Sequence, residues 1–123
     1  MKIRDEYTCP LEIVHDLIRG KWKTILVFQL QFGDNSLSQL KRDIAGISEK
    51  MLLQHLQELQ QWGMLDKIND LGYPLRVKYF LTERGRKLAE AVNIMQEIGV
   101  DYMVGHGQTD WLDKKGIAYQ KGQ

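Results

Sequence analysis

Four long polar side chains stand at a spacing that could do chemistry. Lys50, Gln54, Gln57 and Gln61 follow one another four, three and four positions apart, which on a helix puts them on one face. Glutamine can pair with adenine through two hydrogen bonds, and lysine reaches guanine or phosphate, so such a face suits the major groove of duplex DNA. The first residues of a groove-reading helix reach deepest. That adds Ser48, Glu49 and Leu53 as base-edge candidates. Ser48 and the first backbone N–H groups have a second use, because the positive end of a helix holds phosphate. A glutamine-rich solvated face would show the same spacing, so context must decide. Leu53 on this face is either half-buried packing or a contact to a thymine methyl, and partial burial is the expectation.

Cations gather around this segment. Ser38, Lys41 and Arg42 precede it, and Lys67, Arg76 and Lys78 follow it. An arginine beside a proline-containing tip can enter a minor groove or clamp a phosphate. The alternative is a solubilising charge on an edge strand. Lys21, Lys23, Lys41 and Arg42 read as phosphate contacts or as plain surface. The whole chain has a net charge of +1, but residues 19–87 carry 12 basic and seven acidic side chains, and both flanks are acidic. A basic centre is the footprint expected for a polyanion.

Other chemistry is not supported. His15, His55 and His106 lie far apart and show no metal-ligand spacing, and His55 reads as a hydrogen-bonded structural residue. There is no glycine-rich phosphate loop or nucleophile elbow, and neither Asp70 nor Glu83 has a carboxylate partner placed by the sequence. No catalytic residue, metal or cofactor is expected. The chain has 123 residues, 43% of them hydrophobic, which suits one modest core. No stretch approaches the roughly 20 apolar residues of a membrane span, and residues 1–10 lack the apolar core of a secretory signal. A single cysteine, Cys9, excludes a disulfide framework. A cytoplasmic location without membrane contact is the expectation.

The elements that must position these residues are mostly helical. Leu11, Val14, Leu17 and Ile18 mark a first helix after Pro10, closed by Gly20. Trp22, Ile25, Leu26, Phe28 and Leu30 mark a second, followed by a turn at Gly33-Asp34-Asn35. A third helix starts at Ser36 or Ser38; Ser36 with Gln39 matches the capping box. Ala45-Gly46-Ile47 is a tight break. Ser48 then caps a fourth helix reaching about Trp62, with Leu52, Leu56 and Leu59 as its buried stripe. The period then changes to that of strands at 65–68 and 76–82, joined by the turn-rich 69–74. A last helix begins near Glu83, and Leu88, Ala91, Met95, Ile98 and Tyr102 repeat at 3-4-3-4 spacing, widened by Val92 and Ile94. That is the seam of a coiled coil, and it predicts a homodimer through this seam together with Leu11, Val14 and Ile18. The expected fold is mainly α with a small β-hairpin: a winged helix-turn-helix over residues 1–104, with a tail at 105–123 that has no assigned structure.

The ordered set Cys9-Pro10, Gly20-Lys21-Trp22-Lys23, Gly46-Ile47-Ser48-Glu49-Lys50-Met51-Leu52, Leu56, Glu58-Leu59, Gly63, Arg76-Val77-Lys78-Tyr79, Leu81-Thr82-Glu83 and Gly85 resembles the HxlR-type winged helix-turn-helix regulators of bacteria. The resemblance implies a dimeric transcription regulator that pairs through its first and last helices, reads DNA with the 47–62 helix and uses the 65–82 hairpin as a wing, and the twofold symmetry of such a dimer predicts a pseudo-palindromic operator. It also implies that Cys9 stands where some members sense oxidants or electrophiles. A helix N-terminus stabilises a thiolate, whereas Asp5, Glu6 and Glu12 oppose it, and a small packing residue at the dimer interface is the other reading of Cys9. Three departures stand out. The tip reads Tyr73-Pro74-Leu75-Arg76 where two prolines are common, Lys78 replaces a frequent acid, and no second cysteine is present. Two competing functions share the fold: a protein-interaction module without DNA, which has no use for Lys50, Arg76 and Lys78 on neighbouring surfaces, and a regulator binding a small molecule between dimer helices near Trp22, Phe28, Met95 and Tyr102. Aromatic and methionine residues at helical spacing are more often core.

Overall fold

A computed structural model of the chain describes residues 6–70 and 76–119. The elements are α1 (Pro10–Ile18), α2 (Lys23–Leu30), β1 (Asn35–Ser36), α3 (Leu37–Asp43), α4 (Glu49–Gln61), β2 (Leu65–Asp70), β3 (Arg76–Leu81), α5 (Glu83–Gly105) and α6 (Thr109–Lys115). The 71–75 tip of the hairpin, with its Tyr73-Pro74 sequence, lies outside the described residues, as does the side chain of Arg76. Residues 1–89 and 90–123 form two compact units.

In the first unit a three-stranded antiparallel sheet has the order β1-β3-β2. Leu65 pairs with Leu81 and Lys67 with Tyr79, a register that turns Leu65, Tyr79 and Leu81 inward. The period-2 alternation of β3 produces this, since successive side chains face opposite sides. Leu17, Leu26, Val27, Leu30, Leu40, Ile44, Leu52, Leu56 and Leu59 fill the core between the helices and this sheet. Each such side chain stabilises the fold by roughly 1.5–3 kcal/mol relative to exposure. In α2 it is Val27 that is fully buried, while Phe28 is half-buried and meets Phe32 edge-to-face at 5.3 Å.

The entry to α5 is fixed by backbone approach. A Cβ added at Gly85 would stand 1.8 Å from the Met64 carbonyl oxygen, so no other residue fits. Thr82 closes the same corner: its hydroxyl donates to the Gly63 carbonyl and accepts from the Gly85 N–H, and its own N–H donates to Met64.

Three features correct or complete the expectation. Asn35, read as a turn residue, begins β1 and pairs with Tyr79. Ser36, and not Ser38, caps α3, with both hydrogen bonds of the capping box to Gln39 present. The tail holds α6, whose Leu112 is fully buried.

Candidate nucleic-acid interface

The helix-turn-helix is built by two caps and one glycine. Gly46 has φ +88, a left-handed conformation that glycine adopts without steric cost, and it turns the chain between α3 and α4. Ser48 then caps α4 by accepting the Met51 N–H at 3.1 Å. Its hydroxyl proton remains available to a phosphate oxygen. Along α4 the two faces separate as the spacing requires. Leu52, Leu56 and Leu59 are buried, while Ser48, Glu49, Lys50, Gln54, Gln57 and Gln61 are exposed. Leu53 is 38% exposed, between the two readings given to it.

An open groove runs beside this face. It is lined by Ser36, Ser38, Gln39, Lys41 and Arg42 of the α3 segment, by Glu49 and Leu53 of α4, and by Val77, Lys78 and Tyr79 of β3. Five expected site residues (Ser38, Lys41, Glu49, Leu53 and Lys78) therefore meet around one depression, with the ammonium groups of Lys41 and Lys78 exposed. Lys50, Gln54 and Gln57 are exposed on α4 but do not line the groove. Arg42 belongs to the groove although its role was left open, and Ser36 joins it.

One charged residue was misread. Lys23, expected to be surface or a phosphate contact, is only 2% exposed. Its ammonium lies 2.5 Å from Oε2 of Glu58, which is 8% exposed. The pair ties α2 to α4. Glu58 Oε1 accepts a second hydrogen bond from Gln54 Nε2 at 3.1 Å. Burial works against the charge on Glu58, but favourable contacts, among them the hydrogen bonds from Lys23 and Gln54 and the Lys23 charge, outweigh it and bring the carboxyl from 4.5 to about 2. Nearby His55 has no hydrogen bond at Nδ1 among the described residues, so the hydrogen-bonded role expected for it does not hold at that atom. Burial, and then the Lys23 charge, push its pKa below 6.5. A neutral imidazole is the form this environment favours.

Residues 17–106 match the family described as HxlR-like helix-turn-helix. The chain belongs to that family. It is a helix-turn-helix transcriptional regulator, not an enzyme. An HTH-type transcriptional regulator of Methanothermobacter thermautotrophicus is 34% identical over 98 residues, spanning 80% of this chain and 75% of its own. The solved redox regulator HypR in its oxidised form matches with TM-score 0.72 and 35% identity, over 76% of this chain and 96% of that one. The reduced form of the transcriptional regulator YodB from B. subtilis matches with TM-score 0.66 and 30% identity, over 73% and 89% of the two chains. The winged-helix fold read from the sequence is thereby shown.

Two further features of this HxlR-family chain bear on function. On α5, Ala91, Ile94, Met95, Ile98 and Tyr102 are exposed, Ile98 by 65% and Tyr102 by 61%. Val92, expected to widen that seam, is instead buried. On α1, Leu11 and Val14 are exposed and Ile18 is half-buried. Cys9 is a free, exposed thiol at the N-cap of α1. Glu12, its acidic neighbour, is engaged by Thr8, whose N–H and hydroxyl donate to its two carboxylate oxygens at 2.8 and 2.9 Å. Among the described residues no helix is long and apolar enough to cross a membrane.

Proposed function

We propose that this regulator binds a pseudo-palindromic operator as a homodimer, with α4 in the major groove and the β2–β3 hairpin against the flanking backbone. The observation that carries the reading is the division of α4 into a buried leucine stripe and an uncovered polar face, bordered by exposed Lys41, Arg42 and Lys78. Ser48, Glu49, Lys50, Leu53, Gln54 and Gln57 are its base-edge or helix-end contacts. Ser38, Lys41, Arg76 and Lys78 hold the phosphate backbone. Base contacts set sequence, and phosphate contacts set register.

The subunits pair through the exposed apolar residues of α5 together with α1, and the DNA-binding domain with its dimerisation helices spans residues 1–104. An uncovered row of this size and spacing is what a coiled-coil partner covers. Cys9 is the oxidant-responsive group. Its exposure and helix-end position support this reading, as does similarity to a chain described as a redox regulator. With no second cysteine in the chain, oxidation forms a disulfide across the dimer or with a low-molecular-weight thiol, and the oxidant takes up the two electrons. A protein that works on DNA in this way sits in the cytoplasm.

The test is selection of bound sequences from a random duplex pool, with and without diamide. Enrichment of an inverted repeat with half-sites about one or two helical turns apart, at ~34 Å per turn, is expected. A single asymmetric site, or no enrichment, would refute the dimeric reading or sequence recognition respectively.

A further inference from the structure

We propose that Glu58 is a positioning residue for base recognition: fixed by Lys23 in the interior, it holds the side-chain amide of Gln54 so that the amide oxygen faces outward from α4 as an aligned acceptor. The proposal rests on the reading of α4 as the groove-entering helix.

The geometry divides the two oxygens of one carboxylate between two elements. Oε2 takes the ammonium of Lys23 from α2, and Oε1 takes Gln54 Nε2 from the preceding turn of α4. An ionised carboxylate only accepts hydrogen bonds. The group of Gln54 that faces it must therefore be the NH2, and the flip ambiguity of a glutamine amide is removed by chemistry. One N–H is spent on Glu58. The other N–H and Oε1 remain, and a donor beside an acceptor is what adenine requires at its N7 and N6 edge. An untethered glutamine samples several rotamers and both amide orientations, and loses that freedom on binding. Gln54 has lost part of it before DNA arrives. Among the described residues neither Lys50 nor Gln57 is held in this way. Gln54 is thus the member of the exposed face whose donor and acceptor are set by the fold.

The anchor is itself rigid. Lys23 and Glu58 are both buried, and such a pair has few alternative geometries because separation would leave each charge, already stripped of water, uncompensated in the interior. His55 Nδ1 lies 3.9 Å from Glu58 Oε2, and the burial that favours its neutral form keeps it from displacing Lys23 as the cation.

The experiment uses the full chain, side-chain amide NMR without DNA, and base preference on the selected operator. Glu58→Met removes the acceptor altogether. The paired replacement Lys23→Met with Glu58→Met removes both charges together and guards against a fold lost to one unpaired ion. In the wild type one Nε2 proton of Gln54 should show hydrogen-bonded shift and slowed exchange, and both variants should lose that signature. Preference at the base position contacted by Gln54 should fall about tenfold in the variants, with other positions changing less than about twofold. In a Gln54→Ala background the paired replacement should add nothing. A folded variant that keeps wild-type preference at that position, or loses preference equally at all positions, overturns the positioning role. Unchanged base preference in Gln54→Ala itself overturns the reading of Gln54 as a base contact, and the proposal with it.

Discussion

A lysine and a glutamate in the interior of a small domain persist only if each keeps its partner. Lys23→Met should therefore destabilise the protein by ~3–5 kcal/mol, because it strands a buried carboxylate, whereas the paired change to two methionines should be near neutral. Chemical denaturation of the two variants checks this. The pH dependence follows from the same contact. Glu58 sits at about 2 in the folded chain against 4.5 unfolded. Its folded pKa is depressed, so its contribution is fully present above 4.5 and is lost as the pH falls toward 2. Glu58→Gln should flatten the stability curve across that window; an unchanged curve would show that the carboxylate is not held as described. Both residues were legible in principle. Lys23 shares its buried stripe with Leu26, Val27 and Leu30, and Glu58 lies beside Leu56 and Leu59. Lys23 was read as surface and Glu58 was given no structural role, because lysine and glutamate are almost never fully buried unless paired.

The helices were easier to read than their ends. The leucine stripe of α4 stands where the 3.6-residue period puts it, and Leu56→Ala should cost ~2–5 kcal/mol through the cavity it leaves. Ser48→Ala should cost ~0.5–2 kcal/mol, because the Met51 N–H loses its acceptor; a thermal unfolding series separates the two effects in size. The start of α3 carried two serines, and only the geometry of Gln39 chose between them. β1 escaped notice because Asn35 and Ser36 are turn-favouring residues recruited as strand by pairing with Tyr79 and Lys78, a tertiary effect with no local signal. α6 was missed because seven residues carry too few turns to show a period. The outward position of Lys50, Gln54 and Gln57 followed directly from spacing, but the meeting of Lys41 and Arg42 with Lys78 around one groove did not, since residues distant in sequence meet only through the fold.

At the scale of the assembled regulator, binding an inverted repeat requires two copies. Replacing Met95 and Ile98 with aspartate puts charges into the exposed apolar row of α5 and should yield a folded monomer by light scattering; a folded dimer would exclude that row as the interface. A dimer engaging Lys41, Arg76 and Lys78 from each subunit neutralises six phosphates, so log affinity should fall against log salt with a slope on the order of −5. Cys9→Ser should abolish any response of operator affinity to diamide, and a response of equal size in wild type and variant would eliminate Cys9 as the sensor. The central claim is that the polar face of α4 lies in the major groove. Its most direct measurement places a DNA-cleaving reagent on a cysteine introduced as Gln57→Cys in a Cys9→Ser background and maps the cuts on the selected operator. Two symmetric clusters of cleavage are expected within the half-sites, one from each subunit. Cleavage spread evenly along the duplex, or confined to its flanks, would contradict it.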